Sequence, residues 1–143
     1  MNNYVQVIAG LVVFYVGLKM FASGMKSMAV PEHLNYWLGS PLWMFIGGIV
    51  MTMLWQSSSL STTAIVALVA SGALPLPAAI GAILGANVGT CTTIFLASAF
   101  LDNGWPRGDN LRISIVHVSS NLLMAAMLLP FANQIARLIG RVG

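Results

Sequence analysis

Four consecutive hydrogen-bonding side chains, Gln56, Ser57, Ser58 and Ser59, interrupt a largely apolar segment that runs from Pro41 to Ala70. No charged residue falls anywhere between Pro41 and Leu101. Against lipid such a polar stretch is costly, so it must face protein, water or a ligand. A second interruption, Gly85-Ala86-Asn87-Val88-Gly89-Thr90, follows in the next apolar segment. Two interrupted hydrophobic segments close together point to the binding site of a transporter.

Composition decides the class. Of 143 residues, 58% are hydrophobic and only 6% charged, with mean hydropathy +0.88. A soluble domain carries about a quarter charged residues. An integral membrane protein in contact with lipid is expected. The net charge of +3 then concerns loops and headgroups and excludes a nucleic-acid partner, because the basic residues form no patch. The single cysteine, Cys91, excludes an internal disulfide and a cysteine-based metal site. No zinc, nucleotide or hydrolase motif is present, and three acidic residues leave little for acid–base chemistry, so no enzyme is expected. Met1-Asn2-Asn3-Tyr4 lacks the basic start of a signal peptide, and the first apolar stretch is expected to be a retained span.

Hydropathy divides the chain into a helix over 4–22, an interfacial connector over 23–40 and paired half-length helices over 41–72. A helix over 77–101 and a last one over 111–138 follow. At ~1.5 Å per residue the first covers most of the ~30 Å hydrocarbon core. The connector holds Glu32, His33, Tyr36 and Trp37 and suits an interfacial helix; His33 beside Glu32 is either a pH sensor or a solvated interfacial side chain. Pro41 to Trp55 reaches only ~22 Å as a helix. With the segment after the polar tip 56–59 it reads as a re-entrant hairpin that returns to the face it entered from. The competing reading is one kinked span over 42–70, ~43 Å long, which needs strong tilt and leaves the tip without a purpose. In the next segment glycines flanking Asn87 predict a break over 85–90 that frees backbone carbonyls and N–H groups. In the last span, Ser114, His117 and Asn121 share a helical face, either for a ligand or for an inter-helix hydrogen bond. Three crossings and one hairpin put the termini on opposite sides. No second, similar half follows within the 143 residues.

The combination Gly48…Thr52…Gln56-Ser57-Ser58-Ser59, then Ala79 to Thr90 with its Gly-Ala-Asn-Val-Gly-Thr, then His117…Asn121, resembles one repeat of the sodium-dependent phosphate cotransporter family, the type II group with its bacterial relatives. Gly17-Leu18-Lys19-Met20-Phe21 and Gly24-Met25 are similar to that family's first helix. Cys91 departs from it, standing where a second threonine is common. The resemblance implies an all-α membrane unit of three crossing helices, one broken, plus the hairpin. In that family two inverted copies of such a unit lie in one chain. The resemblance together with the odd number of crossings therefore implies an antiparallel homodimer in a cell (inner or plasma) membrane, multi-pass, moving inorganic phosphate with Na+ as coupling ion.

The phosphate ligands expected on this reading are Gln56, Ser57, Ser58 and Ser59. Sodium ligands or tip supports are Thr62, Thr63, Asn87, Gly89 and Thr90, with Thr52, Gly85, His117 and Asn121 in supporting positions. With no Lys or Arg between Pro41 and Leu101, an oxyanion there must rely on hydroxyls, amides and helix N-termini, and bound sodium is the natural counter-charge. Two alternatives remain. One is a non-transporting, partner-dependent half in a transporter or phosphate-sensing complex. The other is a transporter of a different oxyanion.

Overall fold

A computed structural model describes residues 3–27, 32–100 and 107–140, all-helical with no strand among them. Between the helices expected over 77–101 and 111–138, residues 101–106 fall outside the described residues, and 107–110 already belong to a helix. Two stretches, Asn3–Phe21 and Leu111–Ile139, are long and apolar enough to cross a membrane.

Helix α1 (Asn3–Ser27) continues a turn beyond the expected 4–22 and is exposed along nearly all of its described length. It is apolar on every side, so nothing in its sequence selects one inward face. It touches α4 (Ser58–Ala70). Helix α2 (Glu32–Gly39) occupies the later part of the connector, and its Trp37 packs on Trp43 of α3 (Pro41–Trp55), centroids 4.0 Å apart and rings tilted by 46°. Pro41 opens α3 in the first helical turn, where its missing N–H has no partner to lose.

The chain doubles back between α3 and α4. Thr52 and Ser61 would stand ~13 Å apart along a single helix, yet their hydroxyls are 2.9 Å apart across the turn. That separation excludes the kinked-span reading. Helix α4 ends in a glycine cap. Gly72, at φ +77°, donates to the carbonyl of Val69 at 3.0 Å, and Ala73 donates to that of Leu68 at 2.9 Å.

Helix α5 (Leu76–Phe100) is the centre of the fold. One of its faces is a glycine stripe: Gly81, Gly85 and Gly89 meet the backbone of α3 at Pro41, Phe45 and Ile49 respectively. Both series ascend together, so α3 and α5 run parallel. From the other side Gly48 meets the backbone at Ala82 and Ala86. A second face packs Ala78, Ala79 and Ala82 with Ile65 of α4 and Leu74. A third packs Leu84 and Val88 against Ala125 of α6 (Arg107–Leu128). Small residues dominate because close van der Waals approach, rather than expulsion of water, drives helix association in lipid.

Two expectations are corrected here. The break over 85–90 is absent, since α5 is helical without interruption from Leu76 to Phe100. Its glycines are absorbed by contact with α3, and the side chains of Thr90, Cys91 and Thr92 donate to the carbonyls of Ala86, Asn87 and Val88, one helical turn back. The last helix, expected to be continuous over 111–138, is divided. After α6 comes a 3-10 turn, Leu129–Phe131, and then α7 (Ala132–Ile139). Pro130 has no N–H to donate to the preceding turn, which ends the α-helical ladder there.

Candidate functional site

The hairpin tip is built by two residues of opposite character. Gln56 takes up the left-handed conformation, φ 54° and ψ 25°, the one non-glycine residue with positive φ among those described. An L-residue is strained there, and the strain is held by two bonds. The Gln56 backbone N–H donates to the Thr52 carbonyl at 2.8 Å, and its side-chain amide donates to the carbonyl of Met53. Ser57 is extended and caps α4, its hydroxyl accepting from the Leu60 N–H at 3.2 Å.

Beyond that cap the tip is unsatisfied. The hydroxyls of Ser58 and Ser59, and the backbone N–H groups of the same two residues, make no hydrogen bond to any described residue. Ser58 is half-buried and Ser59 exposed. These four donors lie at the positive end of a helix, a position suited to an oxyanion.

Three independent features now agree: the polar tip, the glycine-packed parallel helices and the motif spacing. A family model described as Na+/Pi-cotransporter matches residues 13–142. The chain belongs to that family. The sodium-dependent phosphate transport protein 2A of Rattus norvegicus is 38% identical over 99 residues, covering 67% of this chain and 15% of the relative. The same-named protein of Ovis aries is 35% identical over 114 residues, covering 73% and 18%. The uncharacterized protein YqeW of Bacillus subtilis (strain 168) is 39% identical over 88 residues, covering 59% and 29%. The chain thus spans less than a third of the length of each of these relatives. No solved structure matches it.

In this member of the Na+/Pi-cotransporter family the remaining expected site residues are distributed as follows. Thr62 is half-buried, its hydroxyl without a partner among the described residues, while Thr63 donates to the Ser59 carbonyl at 2.7 Å. Asn87 is exposed near the middle of α5, its side-chain amide also without a partner among the described residues, on a face otherwise marked by Ile83 and Ile94. Thr90 is half-buried and bonded to Ala86 at 3.0 Å. Gly85 and Gly89 are buried against α3. The carbonyls that a break would have released therefore remain in the helix.

In α6 the shared face is only partial. Ser114 is buried and Asn121 half-buried, whereas His117 lies at the edge and is exposed. The Asn121 side-chain amide donates to the His117 carbonyl at 3.0 Å, which ties it to its own helix. His33 lies where side chains are outside the described residues. One residue escaped the sequence reading altogether. Ser61 is fully buried, accepts from Thr52 and donates to the Ser57 carbonyl at 3.0 Å. Its only sequence signal is a hydroxyl one helical turn after the cap, on the side facing the rest of the hairpin.

Proposed function

We propose that this chain is a unit of a sodium-coupled phosphate transporter, embedded as a multi-pass protein in the cell membrane with the hairpin dipping into the bilayer. The observation that carries this reading is the unsatisfied start of α4. The hydroxyl and N–H groups of Ser58 and Ser59 have no partner within the described residues, and no cation lies between Pro41 and Leu101. Gln56 and Ser57 complete the expected anion contacts, Gln56 by turning its side chain from Met53 to the ligand. Membership of the Na+/Pi-cotransporter family supports phosphate as the anion.

Phosphate brings one to two negative charges to a site that offers only partial positive ones. Sodium supplies the balance, and each ion relieves the desolvation of the other. The polar side chains of Thr62 and Asn87 have no partner among the described residues, and the hydroxyls of Thr63 and Thr90 donate to carbonyls while keeping lone pairs for a cation. These four are the sodium ligands in this reading; Gly85, Gly89, Thr52, His117 and Asn121 shape the frame.

A tip exposed on one side is half of an enclosed site. The second half comes from another copy of this chain in the opposite orientation, so that two tips meet near the membrane midplane. The test is sodium-dependent uptake of labelled phosphate into liposomes containing only this chain. Uptake that requires a second, different protein would instead make the chain a partner-dependent half. Uptake of another oxyanion in preference would change the substrate and keep the site.

A further inference from the structure

We propose that Thr52 and Ser61 form a latch through which the position of α5 sets the geometry of the anion-binding tip; the proposal rests on the transport reading above. Thr52 is 1% exposed and Ser61 0%. Buried hydroxyls demand partners, and these two supply each other. Thr52 donates to Ser61 at 2.9 Å, and Ser61 donates onward to the Ser57 carbonyl at 3.0 Å. The Thr52 carbonyl meanwhile accepts the Gln56 N–H at 2.8 Å. Thr52 therefore fixes both residues of the turn, Gln56 from the α3 side and Ser57 through Ser61 from the α4 side.

The opposite flank of Thr52 lies on α5. A Cβ at Gly89 would come 3.0 Å from the Thr52 Cβ and 2.7 Å from the Ile49 carbonyl oxygen. A shift of α5 along α3 at this level moves Thr52, and the latch delivers that motion to Ser57 and the start of α4. Neither hydroxyl reaches solvent, so neither touches the anion. Both are positioning residues, separate from the free hydroxyls of Ser58 and Ser59.

The test compares Thr52→Val, which keeps the shape and removes the donor, with Thr52→Ser, which keeps the donor. Two readouts are taken on the full chain. In liposomes, Thr52→Val raises the KM for phosphate about tenfold, the size of one lost hydrogen bond, and Thr52→Ser restores it. In detergent without phosphate, hydrogen–deuterium exchange of peptides spanning 53–61 quickens in Thr52→Val and returns to the wild-type rate in Thr52→Ser. Ser61→Ala, at the other end of the bond, runs the same comparison if Thr52→Val does not fold. Joining Thr52→Val to Ser61→Ala adds little to the worse single change, because Ser61→Ala already breaks the bond to Thr52 along with its own bond to the Ser57 carbonyl. Unchanged tip exchange, or a Thr52→Ser variant as impaired as Thr52→Val, overturns the latch. A wild-type chain without uptake overturns the transport reading, and the exchange measurement still decides the latch.

Discussion

Gly85 of α5 lies so close to the carbonyl oxygen of Phe45 on α3 that no Cβ fits between the two backbones. The contact repeats one turn earlier at Gly81 with Pro41 and one turn later at Gly89 with Ile49. It explains why a glycine-rich motif does not interrupt the helix. The neighbouring backbone occupies the space in which unwinding would occur.

Gly85→Ala should therefore destabilise the fold by ~1–3 kcal/mol through overpacking. Gly47→Ala, one position from the same interface but with open space around its Cβ, should be neutral or stabilise by up to ~1 kcal/mol through helix propensity. Thermal melting in detergent separates the two. Equal melting temperatures would sink the packing account.

Gln56 offers a test of backbone strain. Gln56→Gly relieves the left-handed conformation and should raise stability by on the order of 1 kcal/mol. Gln56→Val, branched at Cβ, should lower it. If the side chain also reaches the anion, Gln56→Gly should weaken phosphate binding while it melts higher, a combination that titration and melting on one sample will reveal.

The serines of the tip should divide by role. Ser57→Ala removes the cap of α4 and should cost ~1 kcal/mol of stability. Ser58→Ala removes a hydroxyl, and Asn87→Ala an amide, that have no partner among the described residues. Both should leave the ligand-free melting temperature near wild type while abolishing uptake. Phosphate with sodium should raise the melting temperature of the wild type and not of these two variants, since only a ligand that binds the native state stabilises it. Low melting with proportionate activity per folded molecule would place the site elsewhere.

Anion binding should require sodium. Isothermal titration of phosphate in sodium-free and sodium-containing buffer should give measurable affinity only in the second. Equal affinities would mean that another counter-charge reaches the tip, for instance an arginine from α6 such as Arg112, now exposed beside Asp109.

Orientation can be read with a cysteine introduced near the N-terminus. The native Cys91 is buried, so labelling by an impermeant reagent reports the new thiol. An antiparallel pair predicts label on both sides of the membrane. A single orientation in every molecule, with uptake intact, would falsify that arrangement.

The polar tip was legible without a fold. Scarcity of charge predicted a membrane protein, because no soluble surface can be made from so few ionisable residues. The run Gln56 to Ser59 states where the lipid-facing character fails, because hydrogen-bonding groups are costly in hydrocarbon wherever the chain goes. Those are properties of side chains themselves. The glycines were ambiguous for the opposite reason. Gly85 and Gly89 lower the cost of unwinding and of close approach alike, and the sequence around them is the same in both cases. Only the arrival of Pro41, Phe45 and Ile49 against that stripe decided for packing. Pro130 was passed over in the expected continuous helix over 111–138, although a proline removes an N–H from the ladder of any helix that contains it, and the turn Leu129–Phe131 emerged only with the fold. The pairing of Thr52 with Ser61 was hidden because nine residues of separation carry no signal until the turn at Gln56 closes. Side-chain chemistry alone marked the scarcity of charge and the polar run from Gln56 to Ser59, whereas the role of Ser57 as the cap of α4 came from the fold. What depends on which backbone lies across the gap emerged with the fold, since hydrogen bonds and steric exclusion between distant residues exist only once the helices have met.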